Sequence, residues 1–156
     1  MNMFIYVVVI PVLVCVGGWM IARHRHLRSH PLLLVLAALL FSVSMFLPSP
    51  LIHGGETQFL THFFGGGIFI GLLCLYFWPL IHRELKWYEE LAILFVLVSA
   101  FGVLNELYEL FVEETGFADQ PIWDTSWDLL ANTLGAGTFF VVYKAINIAK
   151  RLFISR

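Results

Sequence analysis

WDTSWDLLANTLGAGTFFVVYKAINIAK, residues 123–150, opens with a row of polar groups and continues as a segment fit for lipid. At about 100° per residue, Asp124, Asp128, Asn132 and Gly135 fall on one face of a helix. The apolar part, 127–148, has the roughly twenty residues that a membrane-crossing helix needs. Ionisable groups are expensive inside a bilayer, so this row is a functional hypothesis by default.

Four more apolar runs precede it, at about 4–22, 32–52, 59–81 and 91–112. The chain of 156 residues is 60% hydrophobic and 13% charged, whereas a soluble domain is about 45–50% apolar. The expected fold is all-α: an integral membrane bundle of about five transmembrane helices, forming one domain over 1–156. Pro48 and Pro50 are expected to end or kink the second helix near Leu47. The N-terminus lacks a basic n-region, so the first run reads as a retained helix rather than a signal peptide. Cys15 and Cys74 sit within apolar runs without a CxxC partner and read as small core residues.

Charge gives the orientation. All nine Lys and Arg residues fall in the first loop (Arg23, Arg25, Arg28), the third loop (Arg83, Lys86) or the last helix and its end (Lys144, Lys150, Arg151, Arg156). With five spans these places share one side, which the positive-inside rule makes cytoplasmic. The N-terminus is then outside, the C-terminus inside, and the expected location is the inner (cytoplasmic) membrane. The outer loops carry Glu56, Glu113, Glu114, Asp119 and Asp124 instead. Trp78, Trp87, Trp123 and Trp127 read as an interfacial aromatic belt. His24, His26 and His30 read as part of a basic, lipid-facing surface. Gly65, Gly66, Gly67, Gly71, Gly135 and Gly137 read chiefly as close helix contacts.

Three helices bring polar groups to the outer half of the bilayer. The fourth carries Asn105, Glu106 and Glu109; the third enters with Gln58 and His62; the fifth enters with Asp124, Asp128 and Asn132. His62, Glu106, Glu109 and Asp128 are the candidate catalytic or metal-binding residues, with Asp124, Asn132 and Gly135 in support. Carboxylates at that depth need compensation, and this side offers no Lys or Arg. The remaining partners are protons, His62 as imidazolium, indole and amide donors, a divalent cation, or a cationic ligand group. A His with two or three carboxylates suits Zn²⁺, Mn²⁺ or Fe²⁺; carboxylates with Asn suit Mg²⁺ or Ca²⁺. The same set suits acid–base chemistry. Taken singly, His62, Asn105 and Asn132 also read as interhelical hydrogen-bonding groups, and Asp124 as an N-cap.

WDTSWDLLANTLGAG resembles the signature that opens the last helix of VanZ-like membrane proteins and of the related YjdF-type bacterial membrane proteins. FLTHFFGGG (residues 59–67) and NELYELFVEE (residues 105–114) resemble the His-bearing and Glu-bearing helices of the same groups. The resemblance covers about 58–137 and implies that His62, Glu106, Glu109, Asp124, Asp128, Asn132 and Gly135 are recurring family positions. It carries no reaction. The basic residues that VanZ-like members often place beside the His and before the Asp are replaced here by Thr57-Gln58-Phe59 and Gln120-Pro121-Ile122-Trp123. Three classes of function fit: an enzyme acting on lipid or cell-envelope components, an accessory or binding protein whose partner is a lipid or a cationic small molecule, and a proton- or cation-coupled transporter. No nucleotide, haem or flavin motif is present, and nothing points to nucleic acid.

Overall fold

A computed structural model of the chain describes residues 3–26, 30–52, 55–81, 84–114 and 125–154. Arg28, Arg83, Arg156, Asp119, Trp123 and Asp124 lie outside them, so the roles expected of these residues have no structural counterpart here. Among the described residues the fold is an all-α bundle of five helices: α1 (Ile5–His24), α2 (Pro31–Ser44), α3 (Phe59–Leu80), α4 (Trp87–Glu114) and α5 (Thr125–Ile154). Four of them are long and apolar enough to cross a membrane. Their outward faces agree, since Leu13, Leu104, Phe111, Val141 and Phe153 are all exposed. A water-soluble surface does not tolerate so continuous an apolar cover, and the chain is a multi-pass membrane protein.

The exception is α2. The run expected to be helical over 32–52 ends as a helix at Ser44, 14 residues long and about 21 Å from end to end. That is short of the roughly 30 Å hydrocarbon core. The two prolines explain the stop, for neither can donate a helical hydrogen bond and each disfavours helix in the residue before it. The chain instead makes a two-residue antiparallel ladder, Leu51–Ile52 with Gly55–Glu56. Thr57 returns it to the bundle: its N–H and its hydroxyl both donate to the Pro50 carbonyl, and the residue is fully buried.

Helix ends elsewhere extend past the apolar runs because polar groups finish them. α4 starts at Trp87 rather than near 91, since the Glu89 carboxylate accepts the Lys86 N–H at 2.8 Å and the Lys86 carbonyl accepts from Glu89 and Glu90. α5 runs to Ile154, with Arg151 in its last turn, where a cation complements the helix dipole.

The closest helix pair is α3 with α5. A Cβ on Gly67 would strike the Asn132 carbonyl and lie 2.6 Å from the Ala136 nitrogen and 2.7 Å from the Gly135 Cα. A Cβ on Gly135 would strike the Phe63 carbonyl. Backbone lies directly on backbone here, as small residues permit in membranes. Gly137 differs from the expectation: among the described residues nothing stands within 4 Å of where its Cβ would be, because it lies on the other side of α5 from the seam. Below the seam Phe69, Ile70, Cys74, Leu94, Val98 and Ala136 form the main core with Ala37 of α2. A smaller cluster of Ala22, Leu34 and Tyr76 ties α1 and α2 to α3, where the Tyr76 hydroxyl donates to the Gly18 carbonyl.

Candidate functional site

The site begins with an irregular turn. Gln58 adopts a left-handed conformation (φ 48°, ψ 16°) that redirects the chain into α3, and its carbonyl accepts the His62 N–H at 3.0 Å. From His62 to Ile68 the helix is π-wound. Such wide turns are rare and concentrate at functional positions. Gly66 and Gly67 let the widened backbone sit against α5, Gly65 lets it sit against Ser44 of α2, and His62 stands at its start. A non-glycine residue in the left-handed region is strained by about 1 kcal/mol. Gln58→Gly is therefore expected to hold or raise the melting temperature of detergent-solubilised protein, and Gln58→Val to lower it.

Asp128 comes from the first turn of α5, where the positive end of the helix dipole favours an anion. It is 1% exposed, and its Oδ2 lies 3.3 Å from His62 Nε2. Glu106 of α4 completes a cluster: one donor atom from each of His62, Glu106 and Asp128 lies within 4.8 Å of the other two. Thr125 of α5 and Asn105 of α4 stand beside the Glu106 carboxylate. Its Oε1 is shut off from solvent without a hydrogen-bond partner among the described residues.

Asn132, one turn beyond Asp128, is 4% exposed. Its amide is clasped by two glycines: a Cβ on Gly66 would overlap its Oδ1, and one on Gly102 would lie 3.2 Å from its Nδ2. The Oδ1 has no hydrogen-bond partner among the described residues. Gly135 contributes by packing, holding α5 against Phe63, the residue next to His62.

Glu109 does not join the cluster. It accepts from Asn105 Nδ2 at 2.7 Å and faces an open cavity of about 210 Å³ lined by residues of α1 to α5. The rings of Tyr6, Phe41, Phe69 and Phe101 line this cavity, and His62 and Asn132 form the wall it shares with the cluster. Asn105 thus pairs with the glutamate that faces the cavity and adjoins in sequence the one that faces the cluster. Tyr6 reaches the same cavity from α1.

Charge compensation in this half of the bundle is sparse. Along α4 the nearest basic residue to Glu106 is Lys86, which at 1.5 Å per residue is about 30 Å away. Lys144 is already engaged by Glu90 toward the opposite end. Sequence reasoning missed the share of α1 and α2 in the site. The signal for Tyr6 was there, a hydroxyl in an otherwise apolar helix, but nothing in the sequence told which neighbour it meets. Thr125 was passed over as part of the helix start. No family model matches this chain, nor does any curated protein or any solved structure.

Proposed function

We propose that this protein is an inner-membrane protein, similar to the VanZ-like and YjdF-type groups, whose His62–Glu106–Asp128 cluster near the outer leaflet binds a divalent transition metal. The bound ion then serves chemistry or recognition on a lipid or cell-envelope component reached through the adjoining cavity. The observation that carries this reading is the convergence of three metal-competent donors from three helices within 4.8 Å. Two ligands at 2.0–2.2 Å around a tetrahedral ion are about 3.3–3.6 Å apart, and His62 Nε2 and Asp128 Oδ2 are 3.3 Å apart. Among the described residues Glu106 Oε1 lacks a partner, which an ion would supply. Two carboxylates balance a dication, whereas among the described residues no Lys or Arg pairs with them. Such an ion would polarise an ester or phosphate oxygen, or lower the pKa of a bound water.

The test is metal binding by equilibrium dialysis with Zn²⁺ and Mn²⁺. Glu106→Gln is expected to weaken binding by at least about 100-fold, more than loss of an outer-shell group does. Glu109→Gln is expected to change it less than about tenfold, because Glu109 lies on the cavity side of Asn105. Equal effects of the two substitutions would refute the assignment.

A second reading rests on the cavity itself. Four aromatic rings and the Glu109 carboxylate suit a cationic head group, since ring faces attract ammonium ions. In that reading the protein is an accessory binder without catalysis. Saturable binding of a tetraalkylammonium ion, lost in Glu109→Gln but retained in Glu106→Gln, would support it.

A further inference from the structure

The opposite half of the bundle holds a larger feature. A groove of about 700 Å³ runs along the outside of the α3–α5 pair, from Ile68 and Thr138 at mid-depth to Pro79 and Lys150 at the end. Twelve residues separate Thr138 from Lys150, so the groove is about 18 Å long. Half of a hydrocarbon core of about 30 Å is about 15 Å, so it matches one leaflet's depth. Leu72, Leu75, Phe139 and Val142 give it an apolar wall, while its open end carries Lys150 and His30. No acid lines it among the described residues. The two lysines of α5 differ in a telling way. Lys144 is held by Glu90 and lies over the Phe140 and Tyr143 rings, whereas Lys150 forms no ion pair among the described residues.

We propose that this groove binds one anionic phospholipid, with an acyl chain along Leu72–Val142 and the phosphate at Lys150 and His30. Length and charge both select this occupant. An acyl chain fills one leaflet's depth, and a basic mouth at the interface favours an anionic head group by about 1 kcal/mol per cation. A partner helix would instead demand small residues along the contact, and this wall is built of large ones. The site is independent of the metal cluster, which lies at the other end of the bundle.

Native mass spectrometry of the detergent-purified protein tests this, using phosphatidylglycerol and phosphatidylcholine of identical chains. Phosphatidylglycerol is expected to be retained about fivefold more strongly. Lys150→Ala should bring the two lipids to near parity while leaving phosphatidylcholine retention unchanged. Val142→Trp, which fills the groove from a lipid-facing position, should reduce retention of both. Equal retention of the two lipids by the native protein would show annular lipid only and overturn the proposal. So would a preference that survives Lys150→Ala, or retention indifferent to Val142→Trp.

Discussion

Gly67→Ala is expected to lower the melting temperature of the solubilised protein by about 6–12 °C and to cut the yield of monodisperse material. An added methyl group in a close-packed interior usually costs about 1–3 kcal/mol. The upper end applies, because the new Cβ meets the Asn132 carbonyl and the backbone of Gly135 and Ala136, not side chains that can rotate away. For a chain of this size about 3 kcal/mol corresponds to the stated shift. The whole stability of a domain is only about 5–15 kcal/mol, so the loss is severe. The same separation of α3 from α5 pulls His62 away from Asp128, and metal binding should fall with it. Gly137→Ala is the control on the same helix pair. Nothing stands within 4 Å of its Cβ position, and a melting temperature within about 2 °C of native is expected. If the two alanines behaved alike, the backbone-on-backbone seam would be wrong.

Asp128→Asn is expected to reverse its rank against the native protein according to whether metal is present. Without metal, the native site gathers two carboxylates beside His62 in a low-dielectric interior, and burying charge there is unfavourable. The amide has nearly the same shape and carries no charge, so the metal-free variant should melt at or above the metal-free native protein. With metal at about 100 times its dissociation constant, the native protein gains about 2.7 kcal/mol and the variant gains little. The native protein should then melt about 5–11 °C higher than in its metal-free form. A His62–Asp128 pair serving only as a structural hydrogen bond gives another pattern: the variant melts lower in both conditions, and metal moves neither curve. Metal stabilisation should also fade as pH drops, because protons compete for the imidazole and carboxylates.

Much of this was legible in the sequence, for identifiable reasons. Hydropathy exposed the helices because lipid demands long apolar segments, and α1, α3, α4 and α5 appear where the runs lie. In the second run hydropathy alone extends to Ile52, while Pro48 and Pro50 announce an end near Leu47; the helix stops at Ser44, three residues earlier. Periodicity placed Asp128 and Asn132 on one face, and both are buried. It grouped Glu106 and Glu109 as well, since residues three apart share a side of a helix. Which of them turns toward His62 depends on how α4 is rotated, and Asn105 marks the division between them. The π-wound turn was out of reach, because it is tied to packing, with Gly66 and Gly67 against α5 and Gly65 against Ser44 of α2, and not to any local preference of HFFGGGI. Tyr6 and Phe41 belong to helices that carry no motif, and only packing brings them to the cavity.

The proposed His62–Glu106–Asp128 ligand set is read out by X-ray absorption at the zinc edge of reconstituted protein. About one ion per chain is expected, with a single imidazole nitrogen and carboxylate oxygens at about 2.0–2.2 Å, and loss of the imidazole signature in His62→Ala. A native protein that takes up no stoichiometric metal, or an ion whose coordination is unchanged in His62→Ala, would contradict it.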